Sequence, residues 1–170
     1  MLVISLSFVI LISSESLADE DKNLEINLID EGRMWLPFSA ANVYQNSTDL
    51  SIIVSTEYDR PLFNRAFLPI QINSTSNNTL FFNLDYGAIT YVGNQVFFVE
   101  IRDNNTNGVL WSSILNDTNG QFAKETFNLP TIILNKPLEF RFYIWTNGPG
   151  ESALDVKKAV IRSSNETYFG

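Results

Sequence analysis

Apolar and polar positions alternate with a period of two along most of this chain, and no window sustains a period of 3.6. Residues 24–28 alternate, and residues 50–56 put Leu50, Ile52 and Val54 on one face. Segments 66–72, 79–84, 95–102, 109–115, 121–127 and 131–134 follow the same rule. The clearest is 137–145, where Leu138, Phe140, Phe142 and Ile144 alternate with Glu139, Arg141, Tyr143 and Trp145. Successive strand side chains point to opposite faces, so each such segment predicts a strand with one buried side. Segment 152–162 predicts the last strand, with Leu154, Val156 and Val160 inward and Lys158 interrupting that row. Turn formers separate the runs: Asn104 to Gly108, Asn119-Gly120, and Asn147-Gly148-Pro149-Gly150. Residues 29–44 read as irregular. Short strands at this spacing, with neither repeat nor linker, predict an all-β chain: a single antiparallel β-sandwich of jelly-roll type.

The first residues follow another pattern. An apolar run from Leu2 to Ile12, broken by Ser5 and Ser7, leads to Ser16-Leu17-Ala18 and then to Asp19-Glu20-Asp21. That is the layout of a secretory signal peptide over 1–18, although no Lys or Arg precedes the run. The run is too short for a transmembrane helix. The expectation is a β-sandwich domain over 19–170, secreted or at the cell surface, with no membrane span in the mature chain.

Composition narrows the chemistry. Among 170 residues there is no Cys and no His, which removes thiol catalysis, zinc fingers and His-based triads. Export without cysteine fits a microbial surface better than a small animal secreted domain. The net charge of −8 opposes nucleic-acid phosphates, so no nucleic-acid partner is expected. Asn-X-Ser/Thr sequons stand at Asn46, Asn73, Asn77, Asn104, Asn116 and Asn165, each in a segment read as turn or terminus. These are candidate glycosylation sites, and equally ordinary turn formers.

Several constellations resemble chemistry. Asp103-Asn104-Asn105-Thr106-Asn107-Gly108 matches the first half of a calcium loop, but Ile114 stands where the bidentate Glu belongs. A hairpin turn accounts for it, and no cofactor is expected. Structural calcium stays open there, as it does for Asp30, Glu31 and Asp155. Arg60 to Arg65 reads as a basic, aromatic loop with Leu62 or Phe63 buried. The N-terminal strand, 19–29, either pairs within its own sheet or inserts into a neighbour's.

Two strands present similar outer faces. Glu100 and Arg102 share one with Phe98; Glu139, Arg141, Tyr143 and Trp145 form the other. In one sheet these would make a face of acids, arginines and rings. Rings offer flat surfaces to pyranose C–H groups, and Arg and Glu supply directional hydrogen bonds to hydroxyls. The same residues also describe a solvated face of cross-strand ion pairs, or rings covered by a loop. Glu100 and Glu139 further admit a glycoside hydrolase, which needs two carboxylates about the scissile bond. Each has an Arg two residues away, which disfavours a general acid.

The strand from Lys136 to Trp145, the turn Asn147-Gly148-Pro149-Gly150 and the strand from Leu154 to Ile161 together resemble the last strands of galactose-binding-like jelly rolls. That family includes carbohydrate-binding modules and non-catalytic domains of surface proteins. The resemblance implies a binding or structural β-sandwich and no particular ligand. The leading expectation is a non-catalytic carbohydrate binder using Glu100, Arg102, Glu139, Arg141, Tyr143 and Trp145. The alternative is a structural or adhesive surface subunit, with other surface proteins as partners and assembly by strand exchange.

Overall fold

The computed structural model describes residues 24–30, 32–74 and 79–164. The leader at 1–18, Glu31, and the sequons at Asn77 and Asn165 lie outside them. In chain order the strands are β1 (Glu25–Asn27), β2 (Leu36–Phe38), β3 (Ala41–Gln45), β4 (Leu50–Thr56), β5 (Pro61–Gln71) and β6 (Thr79–Val92). They continue as β7 (Gln95–Asp103), β8 (Val109–Leu115), β9 (Ala123–Leu129), β10 (Pro137–Asn147) and β11 (Gly150–Ser164). They form two antiparallel sheets packed as a sandwich. One has six strands in the order β3-β4-β11-β6-β9, with β1 on the far half of β11. The other has five, in the order β2-β5-β10-β7-β8.

Alternation places the core. Leu138, Phe140, Phe142 and Ile144 of β10 are all buried, as are Phe97, Val99 and Ile101 of β7. From the other sheet Phe82 meets Phe140 at 5.0 Å between ring centroids. Trp35 stacks on Phe142 at 5.2 Å and donates its indole N–H to Leu28 O at 2.8 Å. A buried Trp needs such an acceptor. Each fully buried large side chain contributes roughly 1.5–3 kcal/mol.

Four local readings are corrected. The strand expected at 131–134 is a 3-10 turn over Thr131–Ile133, closed by Leu134 N donating to Thr131 O. Pro130, which lacks an N–H, breaks the alternating run there. The irregular stretch 29–44 contains β2 and β3. The segment Arg60 to Arg65 is largely strand: β5 starts at Pro61, and Phe63 is 59% exposed rather than buried. Asn64 hides that strand in the sequence, since it occupies an inward position. Its amide is satisfied there, accepting from Ala40 N at 3.1 Å and donating to Ile144 O at 3.2 Å. Last, a bulge in β11 between Val156 and Lys158 accounts for Lys158 in an apolar row. The extra residue shifts the inward phase to Ala159 and Ile161, so Val160, expected inward, stands outside the core.

Of the N-terminal strand expected over 19–29, residues 19–23 lie outside the described residues, and β1 pairs within its own domain. Glu25, Ile26 and Asn27 lie opposite Arg162, Ile161 and Val160, and Leu28 N donates to Ala159 O at 2.8 Å.

Among the described residues, Tyr86 is the largest fully buried side chain. Its hydroxyl donates to Glu125 Oε1 at 2.7 Å and accepts from Asn116 N at 3.1 Å. Burial, then the Glu125 hydrogen bond, pushes its pKa from 10.0 up to about 12. The folded state therefore holds this proton more tightly than the unfolded one. Stability from this group is intact below pH 10 and is lost as pH rises toward about 12. Urea unfolding from pH 9 to 12 should show a steeper fall for the native protein than for Tyr86→Phe. Equal slopes would contradict the assignment.

Candidate functional site

The outer face of the five-stranded sheet carries the charged and aromatic residues. Register stacks them in rows across the strands. Tyr143 of β10 lies between Arg65 of β5 and Phe98 of β7. Phe38 of β2 and Ile114 of β8 extend that row on either side. In the next row Arg141 lies between Phe67 and Glu100, and beyond it Glu139 lies between Pro69 and Arg102. On the other side Trp145 lies between Phe63 and Val96.

A groove of about 450 Å³ runs over these rows, lined by Phe38, Phe63, Arg65, Phe98, Glu100, Arg102, Asn107, Arg141 and Tyr143. The β7–β8 turn folds back to form one side. There Asn107 adopts a positive φ of 57°, a conformation Asn tolerates better than most residues. Its backbone carbonyl accepts from Arg102 Nη1 at 2.9 Å, and its side-chain Oδ1 accepts from Arg141 Nη2 at 3.0 Å. The turn's Asp103 carboxylate is engaged locally, accepting from Asn105 N and Thr106 N at 2.9 and 3.2 Å. Among the described residues no group of three His, Cys, Asp or Glu side chains is placed to hold a metal ion.

The groove floor is polar and closely paired. Arg141 is 5% exposed; its Nε donates to Glu139 and its Nη1 to Tyr143 Oη at 2.6 Å. Arg102 donates to Glu100, and that hydrogen bond raises the Arg102 pKa further, against an opposing effect of burial. Arg141 Nη1 also lies 3.9 Å from Glu100 Oε1, which joins the two pairs. Such a network holds its hydrogen-bonding groups in fixed directions before any ligand arrives. The floor can therefore offer directional donors and acceptors, and the rim can offer flat apolar surface. Phe38 and Phe63 are 50% and 59% exposed. Phe63 stands edge-on to Tyr143 at 6.3 Å, and the Arg65 guanidinium lies 4.0 Å from the Phe38 ring centroid.

Of the six residues singled out in the sequence, Glu100, Arg102, Arg141 and Tyr143 line the groove. Glu139 lies on the same face, paired with Arg141, and Trp145 lies beside Phe63; neither is in the lining. Tyr143, expected as an open stacking ring, is buried. Sequence reasoning missed Phe38, Phe63, Arg65 and Asn107 as members of one site. Arg65 and Phe63 were hidden by the loop reading of β5, and Asn107 by its place in a calcium-like pattern. Asn46, Asn73, Asn104 and Asn116 are all exposed and stand outside or at the ends of strands. Among the described residues no helix is long and apolar enough to cross a membrane.

No family model matches the chain, and no curated protein matches it. The fold is similar to solved structures. A point mutant of a family 29 carbohydrate-binding module superposes with a TM-score of 0.51 at 11% identity, covering 83% of this chain and 92% of that one. CBM4, a second module of this kind, gives 0.50 at 11% identity, covering 82% and 95%. The glycoside hydrolase domain structure of Endo-D from Streptococcus pneumoniae R6 gives 0.52 at 7% identity, covering 78% of this chain and 22% of that one. At these identities the likeness is one of fold: a β-sandwich resembling those of carbohydrate-binding modules.

Proposed function

We propose that this chain is a secreted or cell-surface, non-catalytic module of jelly-roll type that binds extracellular carbohydrate in the groove of its five-stranded sheet. Residues 1–18 are its signal peptide and 19–170 its mature domain. The observation that carries the reading is the pairing of exposed rings, Phe38 and Phe63, with a pre-set polar floor of Glu100, Arg102, Asn107, Arg141 and Tyr143. The rings pack on the C–H face of a pyranose, and the floor hydrogen-bonds its hydroxyls. No bond is made or broken. The resemblance to carbohydrate-binding folds supports the same reading. Asn46, Asn73, Asn104 and Asn116, all exposed, are the described residues that would carry glycans, with Asn77 and Asn165 as further sequons.

The other readings have less support. A hydrolase needs two carboxylates about one cleft; Glu100 lines the groove, Glu139 does not, and each accepts from an arginine on its own strand. Strand exchange needs a free N-terminal strand, and Glu25–Asn27 is docked in its own sheet.

The test is binding to a broad glycan array, repeated with Phe38→Ala and Phe63→Ala. Each substitution should weaken binding roughly 2- to 10-fold, the range of a ring contact. Tyr44→Ala, an exposed ring on the six-stranded sheet, should leave it unchanged. Unchanged binding by both Phe variants would contradict the proposal, as would an array with no bound glycan.

A further inference from the structure

Three guanidinium groups line the groove against one carboxylate, in a protein of net charge −8. Two of the three are accounted for. Arg102 is paired with Glu100, and Arg141 with Glu139 of the next row. Arg65 is different. Among the described residues its guanidinium makes no hydrogen bond and no ion pair, and its Nε is buried without a partner. The guanidinium is nevertheless held in place. It lies 4.0 Å from the Phe38 ring centroid, with Phe67 at 5.6 Å and Tyr143 at 5.9 Å. Ring faces satisfy part of its charge but none of its N–H donors.

A planar cation fixed among rings, with unused donors in a groove, is prepared for an anion that presents two oxygens side by side. Carboxylate and sulfate oxygens match the guanidinium fork, and little further side-chain ordering is needed on binding. Resting on the carbohydrate reading above, we propose that the groove's ligand is an acidic glycan, a uronic-acid or sulfated sugar, whose anionic group is held by Arg65. Phe38 and Phe63 then flank the same sugar unit, and the Glu100–Arg102–Asn107–Arg141 network takes its hydroxyls. The negative charge of the whole protein works against unspecific polyanion binding. Any strong preference for an acidic glycan must therefore come from a local feature such as this one.

The test measures affinity for three sets of immobilised polysaccharides: uronate polymers, the same polymers with carboxyl groups reduced to alcohols, and sulfated polymers with their desulfated forms. At least one acidic form should bind about tenfold or more tightly than its neutral counterpart, as a charge-assisted contact implies. The uronate and sulfate sets show which anion is meant. Arg65→Met, which keeps the apolar stem, should abolish the preference while leaving weak neutral binding. Arg65→Lys should restore part of it. Equal binding of acidic and neutral forms, or a preference that survives in Arg65→Met, overturns this inference and leaves the carbohydrate reading standing. Absence of binding across all sets likewise overturns this inference, and the carbohydrate reading falls with it only if the broad array also shows no bound glycan.

Discussion

Phe140→Ala lowers the unfolding free energy by about 3–5 kcal/mol, the usual cost of emptying a buried aromatic site. The ring is fully buried and sits where the two sheets meet. It touches Phe82 of the six-stranded sheet at 5.0 Å, Phe142 at 5.9 Å and Trp35 at 6.2 Å between centroids. Those neighbours belong to different strands and to a loop, so they cannot close together over the gap without moving the sheets. Domains of this kind carry only about 5–15 kcal/mol in total, so the loss is a large share. Urea unfolding of Phe140→Ala and Phe140→Leu should show the smaller loss for Leu, which refills part of the space. Ile132→Ala, at a side chain 55% exposed, should stay within about 0.5 kcal/mol. A loss below about 1 kcal/mol for Phe140→Ala would mean the sheets are not packed through this ring.

Arg141→Ala should cost a similar amount, about 3–5 kcal/mol, for a different reason. Its side chain and that of Glu139 are 7% and 13% exposed, so removal of the cation leaves a largely dehydrated carboxylate. Tyr143 Oη and Asn107 Oδ1 lose their donor as well. Arg141→Lys keeps the charge but not the fork, and should recover less than half of the loss. The double variant Glu139→Gln, Arg141→Met removes both charges together and should be more stable than Arg141→Ala, because no unpaired charge stays behind. Urea midpoints of the three variants provide the check. Losses under about 1 kcal/mol for Arg141→Ala would place the pair among ordinary solvated surface pairs.

The sequence made the inner faces legible because burial leaves a period-two record. Leu138, Phe140, Phe142 and Ile144 read as inward and are inward. The same alternation set Glu139, Arg141, Tyr143 and Trp145 on one outer face, and the register of β7 against β10 brought Glu100 and Arg102 to it. Alternation fails where an inward place is polar. Asn64 stands in such a place with its hydrogen bonds satisfied, so the first half of β5 looked like a loop and took Phe63 and Arg65 with it. Short edge strands leave too little pattern as well: β2 is three residues, and it supplies Phe38. Asn107 enters the site through a turn folded back across two strands, a long-range arrangement that no local spacing encodes. Half the groove was therefore visible from alternation alone. The missing half, which includes the unpaired cation, needed the sheet.

In the function proposed above, carbohydrate sits on the five-stranded sheet, over Arg141 and between Phe38 and Phe63. The most direct test of this placement is a 1H–15N NMR titration of the protein with the glycan bound most tightly on the array, following backbone amides and arginine Nε–Hε signals. Shift changes are expected at Phe38, Phe63, Arg65, Asn107 and Tyr143, and none on the outer face of the six-stranded sheet at Tyr44 or Ile53. Changes confined to that other face, or no glycan that moves any groove signal, would contradict it.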